Sequence, residues 1–295
     1  MRRRSVSNSH ATALARAEAL SVHERWVSRI RGIPVSTIEV AGLLGIEVKR
    51  VSGAPEVGRL LYSNGWAGGH YTIIIRDDLP SNMERFVMAH EIGHAVLLKR
   101  HPNAADHWDL SQREAFATTF AQQVLVPPAM RDELIDDFRA LDDPISLLDL
   151  ADRFGLWPHT LLRFADQESR CMRNLPRIWV RAKHRANRYT GLEPKLRIVT
   201  AHYDREHYFI PPNQSLSSFC GGEAWLAVCE TGKTVAFCGE VTMTERHSDS
   251  HPKFRRAKQP ARLSATCLSA SVVDRQPSFL ILTDLTSVSQ SRQSE

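Results

Sequence analysis

The chain has 295 residues, is 42% hydrophobic and carries a formal net charge of +5. It can bury a substantial core, and its length suggests two domains. No apolar run approaches a membrane span, and Met1-Arg2-Arg3-Arg4 is followed by Ser, Asn and His rather than by the apolar core of a signal peptide. Membrane and secreted classes are therefore set aside.

In chain order, residues 1–20 read as a disordered basic tail. Residues 35–44 have the pattern of a short helix and 46–51 that of a strand. Residues 70–76, His70-Tyr71-Thr72-Ile73-Ile74-Ile75-Arg76, are β-branched and aromatic, bounded by Gly68-Gly69 and Asp77-Asp78, as expected of a second strand. This strand reads equally as an edge open to an extended peptide or as an internal strand. A helix follows over 83–98, started by Pro80 with Ser81 or Asn82 available as cap, and a second over 111–126, ended by Pro127-Pro128. The helix-strand-strand-helix-helix order predicts a small α+β unit.

The first of these long helices contains His90-Glu91-Ile92-Gly93-His94. Histidines four apart on a helix lie one turn apart on one face, so both imidazoles can converge on one zinc ion while the glutamate between them serves as general base. Both fall on the stripe joining Met83 and Val87 to Leu97, which faces them inward. The alternative is a pair of core histidines bonded to backbone. Zinc held this way needs a third protein ligand and an open position for water. On the second helix, Ala117, Phe120, Ala121, Val124 and Leu125 form a buried stripe whose backward extension lands on Glu114. An ionised carboxylate on an apolar face is costly unless paired or metal-bound, whereas in a frayed first turn it would need no ligand role. Asp106 and Asp109 are weaker candidates, as nothing fixes their direction. Tyr71, His101 and His107 are conceivable stabilisers of an oxyanion, each with an ordinary packing or surface role as the alternative.

The string from Arg85 to His94, Arg-Phe-Val-Met-Ala-His-Glu-Ile-Gly-His, followed by Glu114-Ala115-Phe116-Ala117-Thr118-Thr119-Phe120-Ala121 and Leu125-Val126-Pro127, resembles the ImmA/IrrE metallopeptidases, a gluzincin-like HExxH…E family. These pair R-F-x-x-A-H-E-x-G-H with E-x-x-A-[N/D]-x-F-A-x-x-L-x-x-P. The resemblance covers about residues 34–162 and implies His90, His94 and Glu114 as zinc ligands and Glu91 as catalytic base. It departs at Thr118, where the family often has Asn or Asp. A hydroxyl can accept a bond from imidazole but brings no charge, which would lower metal affinity or ligand basicity.

Residues 144–190 read as two short helices, 147–154 and 159–164, joined through Gly155-Leu156-Trp157-Pro158 with helix-turn-helix-like spacing, and then a basic linker containing Arg173, Arg177, Arg181, Lys183, Arg185 and Arg188. Scaffold packing and DNA reading are the two roles such helices could have. From 191 to 286 the pattern turns to strands, at 196–203, 223–229, 234–238, 261–269 and 278–282, with Thr231-Gly232-Lys233 as a hairpin turn. Gly232-Lys233-Thr234 ends like a phosphate loop, but Ala227 stands where that loop needs glycine, so nucleotide binding is unsupported. Cys171, Cys220, Cys229, Cys238 and Cys267 all lie in this half. Their odd number and the lack of a C-x-x-C argue for reduced thiols in the cytoplasm. The nine-residue steps fit either buried strand positions or a second metal or redox site. Residues 171–295 hold 18 Lys plus Arg against 11 Asp plus Glu, a net of +7 that leaves −2 for the rest. Residues 287–295 read as a disordered end.

The expected fold is thus α+β: a zincin-like metallopeptidase domain over 21–143 with a helical extension, then a β-rich α+β accessory or sensor-like domain. The expected function is zinc-dependent endoproteolysis, with the resemblance implying a helix-turn-helix transcriptional repressor as protein substrate in a stress or mobile-element response. The competing expectation is a DNA- or protein-binding regulator that uses the zinc fold as a scaffold, and nothing in the sequence fixes an oligomeric state.

Overall fold

The computed structural model describes residues 3–26, 33–65, 68–168, 171, 177–185, 195–202, 208–209, 235–245, 256–268 and 278–284. The fold is α+β and divides into two compact units, 1–134 with 150–161, and 135–149 with 162–295. None of the described helices is long and apolar enough to cross a membrane.

The first unit opens with a correction. Residues 3–26 form a helix, α1 (Arg3–Trp26), rather than a disordered tail, and it packs along α5 (Leu110–Leu125). Ala11, Ala15, Ala19 and Val22 are fully buried at helical spacing, and alanine both favours helix and lets two backbones approach. Glu18 accepts bonds from Arg100 (2.5 Å) and His101 (2.8 Å), and His23 meets the Gln123 carbonyl at 3.3 Å. Burial works against the Glu18 charge, but the His101 and Arg100 bonds outweigh it and hold the carboxyl below its ordinary pKa.

Helix α2 (Thr37–Leu43) is capped by Ser36 and released by Gly45, whose φ of +67° turns the chain into β1 (Ile46–Val51). A strand the sequence reading omits, β2 (Gly58–Gly65), comes next, then β3 (Gly68–Arg76). The order is β1-β3-β2, with β1 parallel and β2 antiparallel to β3. Of the two readings of residues 70–76, the internal strand is the one found, and the outer strands among the described residues are β1 and β2. Ile73 and Ile75 bury one face of β3, the alternation expected of a half-covered sheet.

Helix α3 (Ser81–Arg100) starts two residues earlier than expected. Its N-cap is Pro80, without a side-chain cap bond, and Asn82 donates to Asp152 instead. Glu84 in its first turn pairs with Arg50 of β1 at 2.8 Å. A short α4 (Pro102–His107) leads to α5, whose N-cap Asp109 and Gln112 form a reciprocal capping box. After a 3-10 turn come α6 (Arg131–Ala140), α7 (Pro144–Arg153) and α8 (Pro158–Gln167). The helix-turn-helix-like pair is thus present, and Leu147, Leu150, Ala151, Phe154, Leu161, Leu162, Phe164 and Ala165 are buried. On α8 only Arg163 is exposed, which suits a packing element better than one reading a groove.

The second unit holds an antiparallel six-stranded sheet, in the order β5-β4-β9-β8-β7-β6. Its strands are β4 (Arg177–Arg185), β5 (Lys195–His202), β6 (Tyr208–Phe209), β7 (Val235–Glu245), β8 (Arg256–Leu268) and β9 (Ser278–Asp284). The basic stretch read as a linker is, over 177–185, an internal strand: Ile178, Trp179 and Val180 are buried in succession, so both faces are covered there. The expected strand 223–229, the turn at 231–233, Cys220, Cys229 and the tail 287–295 lie outside the described residues. Cys171 is buried and forms no disulfide, and Cys238 and Cys267 occupy β7 and β8.

Candidate metal centre

The periodicity of α3 sets His90 and His94 one turn apart, with their Nε2 atoms 3.2 Å from each other. Glu114 of α5 completes a triangle: Oε2 is 3.3 Å from His90 Nε2, and Oε1 is 3.3 Å from His94 Nε2. Ligands placed tetrahedrally about 2.0–2.1 Å from a zinc ion stand about 3.3 Å from one another. The two Nε2 atoms therefore have the spacing of two corners of such a site, and each carboxylate oxygen of Glu114 stands at that distance from one of them. Among the described residues these are the His, Cys, Asp or Glu side chains grouped closely enough to hold a metal. The imidazoles are half-buried, with 17% and 21% of their side chains exposed against 48% for Glu114, so the triangle opens on its Glu114 side.

Two packing details produce this convergence. Gly93 lies against the backbone of α5, where a Cβ would stand 2.9 Å from Ala117 Cα and 3.1 Å from its carbonyl oxygen. Only a residue without a side chain permits that approach, which carries Glu114 to the histidines. Helix α5 begins at Leu110 and has no acidic residue in its first turn, so a helix-dipole role does not account for Glu114. His90 Nδ1 is 3.5 Å from Thr118 Oγ1. A proton on Nδ1 donated to the hydroxyl leaves the Nε2 lone pair facing the triangle.

Glu91 points beside the triangle toward β2. Burial and the nearby Glu114 carboxylate push its pKa up to about 7, while a hydrogen bond accepted from the Leu60 backbone N–H works the other way. Burial depresses His94, with Glu114 opposing. The site thus combines a cluster of metal-type donors with a carboxyl poised to exchange a proton near neutrality.

The remaining sequence candidates are engaged elsewhere. Asp109 caps α5, Asp106 is exposed, His101 is bound to Glu18, and the exposed His107 bonds the Asn103 carbonyl through Nδ1. Tyr71 shares a face of β3 with Ile73 and Ile75 and stacks on Tyr62 of β2, ring centroids 5.0 Å apart. Sequence reasoning missed β2 as a neighbour of Glu91, and it missed the work of Arg85. That guanidinium donates to the Gly155 carbonyl at 3.1 Å. Gly155, at φ +61°, leaves room for it, because a Cβ there would lie 2.3 Å from both Arg85 and Pro34. Arg85 stands in the quoted motif five residues before His90, the one signal that could have singled it out.

Residues 41–165 match the family described as Peptidase M78, IrrE N-terminal-like domain. No curated protein matches the chain. Among solved structures, a Mycobacterium tuberculosis transcriptional regulator is similar at 15% identity and a TM-score of 0.51, over 94% of this chain and 90% of that one. At that identity the likeness is one of fold.

Proposed function

With residues 41–165 forming an IrrE N-terminal-like domain of the ImmA/IrrE type, we propose that the protein is a cytoplasmic zinc-dependent endopeptidase whose substrate is a helix-turn-helix transcriptional repressor. The observation that carries this reading is the 3.2–3.3 Å triangle of His90, His94 and Glu114 with Glu91 alongside. His90 and His94 would hold zinc through Nε2 and Glu114 through its carboxylate. Bound zinc supplies a lowered pKa for a water and polarisation of the scissile carbonyl. Glu91 takes the proton from the attacking water and passes it to the amine that leaves as the C–N bond breaks. Thr118 holds the His90 tautomer, and Arg85, through Gly155, steadies the helix that carries both histidines.

The open edge of β2 suits an extended peptide, which would add to the sheet through main-chain bonds. The fold neighbour's description as a transcriptional regulator agrees with proteolysis that acts on transcription. The experiment is metal analysis of the purified chain with incubation against a repressor encoded beside it. Glu91→Gln is expected to keep zinc at wild-type stoichiometry and lose cleavage, and His90→Ala to lose the metal. Unchanged cleavage by Glu91→Gln would sink the proposal.

A further inference from the structure

Among the described residues strand β2 is one of the two outer strands of its sheet, and its register fixes the direction of its groups. Leu60 sits opposite Ile73 of β3, yet its N–H is given to the Glu91 carboxylate. The main-chain groups of Leu60, and by the two-residue repeat those of Gly58 and Tyr62, therefore face the open edge, while the three side-chain positions share one face. That face looks toward α3, because a Cβ on Gly58 would stand 2.3 Å from Val87 Cγ1 and 3.4 Å from Glu91 Cγ. Tyr62 lies one pleat, about 6.8 Å, beyond Leu60 on this face. It is 53% exposed, so its ring is open to a ligand on this face.

The ring is held from beneath. It lies across Gly69, where a Cβ would come within 2.3 Å of Cε2 and 2.4 Å of the hydroxyl oxygen, and it packs on Tyr71 at an interplanar angle of 40°. A flat aromatic surface, supported by a position with no side chain and by a second ring, thus adjoins the open edge next to Glu91. Aromatic rings of this kind bind apolar side chains at low entropic cost.

We propose that Tyr62, seated on Gly69 and backed by Tyr71, is a substrate subsite that takes an apolar or aromatic side chain of the extended peptide, two residues along from the one paired with Leu60. This rests on the peptidase reading above. A peptide added to β2 alternates its side chains as the strand does, so the residue opposite Tyr62 falls on the ring's face. Leu61, on the other face, takes no part.

The test uses the zinc-loaded full chain and decapeptides built on a sequence that wild type cleaves in a degenerate peptide mixture. Each position within four residues of the scissile bond is varied among Phe, Leu, Gly and Asp. One position is expected to favour Phe or Leu over Gly or Asp by about ten- to hundredfold in kcat/KM. Tyr62→Ala removes the preference at that position alone, chiefly through KM and with zinc content unchanged, and Tyr62→Phe restores it. Gly69→Ala, whose Cβ displaces the ring, weakens it likewise. A wild type without such a position, or a preference that survives both Tyr62→Ala and Gly69→Ala, overturns the subsite and leaves the peptidase reading standing. Failure of wild type to cleave any peptide overturns both.

Discussion

A carboxyl group enclosed by apolar neighbours and facing a second carboxylate keeps its proton, and this is the situation of Glu91 in the metal-free protein. Its pKa of about 7 lies above the ordinary 4.5, so its contribution to stability is complete below the unfolded value and disappears as pH rises through the folded one. In the presence of a chelator, the unfolding free energy should therefore fall by up to about 3 kcal/mol between pH 4.5 and 7 on account of this group. Glu91→Gln should flatten that segment of a urea-unfolding pH series, and parallel slopes for the two proteins would remove Glu91 as the cause. The cluster was readable from sequence because a helix converts the spacing of four between His90 and His94 into proximity, and because the buried stripe of α5, extended backward, lands on Glu114. Thr118 was readable too, as a departure from the family pattern, and it does face His90 Nδ1, though at 3.5 Å and without a charge. The contributions of Gly93 and Arg85 were hidden, since each depends on an atom of a different element: Ala117 of α5 in one case, the Gly155 carbonyl in the other.

The crossing of α3 and α5 is where an element's placement sets the chemistry. At Gly93 the nearest atoms to an added Cβ belong to the α5 backbone, 2.9 and 3.1 Å away, and a backbone yields less readily than a side chain tip. Gly93→Ala should force the helices apart, costing about 1–3 kcal/mol of stability and drawing Glu114 away from the histidines. Denaturant titration and zinc competition against a chelator should both register the change, and a variant with wild-type zinc affinity would separate the crossing from the site. The elements that escaped sequence reading share a cause. The buried stripe of α1 is mostly alanine, which packs tightly but gives little hydropathic contrast. Strand β2, Gly58-Arg-Leu-Leu-Tyr-Ser-Asn-Gly65, lacks regular alternation because its face toward α3 carries glycine at the crossing. Strand β4 hides the buried Ile178, Trp179, Val180 and Ala182 among arginines and a lysine.

Domain boundaries drawn from sequence assume that a folded unit is one stretch of chain, and here the first unit is completed by residues 150–161, beyond the boundary expected at 143. The returning segment supplies the Gly155 carbonyl that accepts from Arg85 and the Asp152 carboxylate that accepts from Asn82, both partners lying in the first two turns of α3. It also contributes the buried side chains of Leu150, Phe154, Leu156 and Leu161. Each such side chain stabilises by about 1.5–3 kcal/mol when removed from water, so their joint loss is comparable to the 5–15 kcal/mol or so that holds a typical domain together. A fragment of residues 1–143 should consequently melt without a cooperative transition and fail to retain zinc. A fragment of residues 1–168, which keeps the returning segment, should unfold cooperatively and bind the metal. Circular dichroism during thermal unfolding, with metal analysis of both fragments, makes the comparison. Equal midpoints would mean that α3 holds its histidines in place without Gly155, and that the motif arginine has some purpose other than tying this segment to the metal helix.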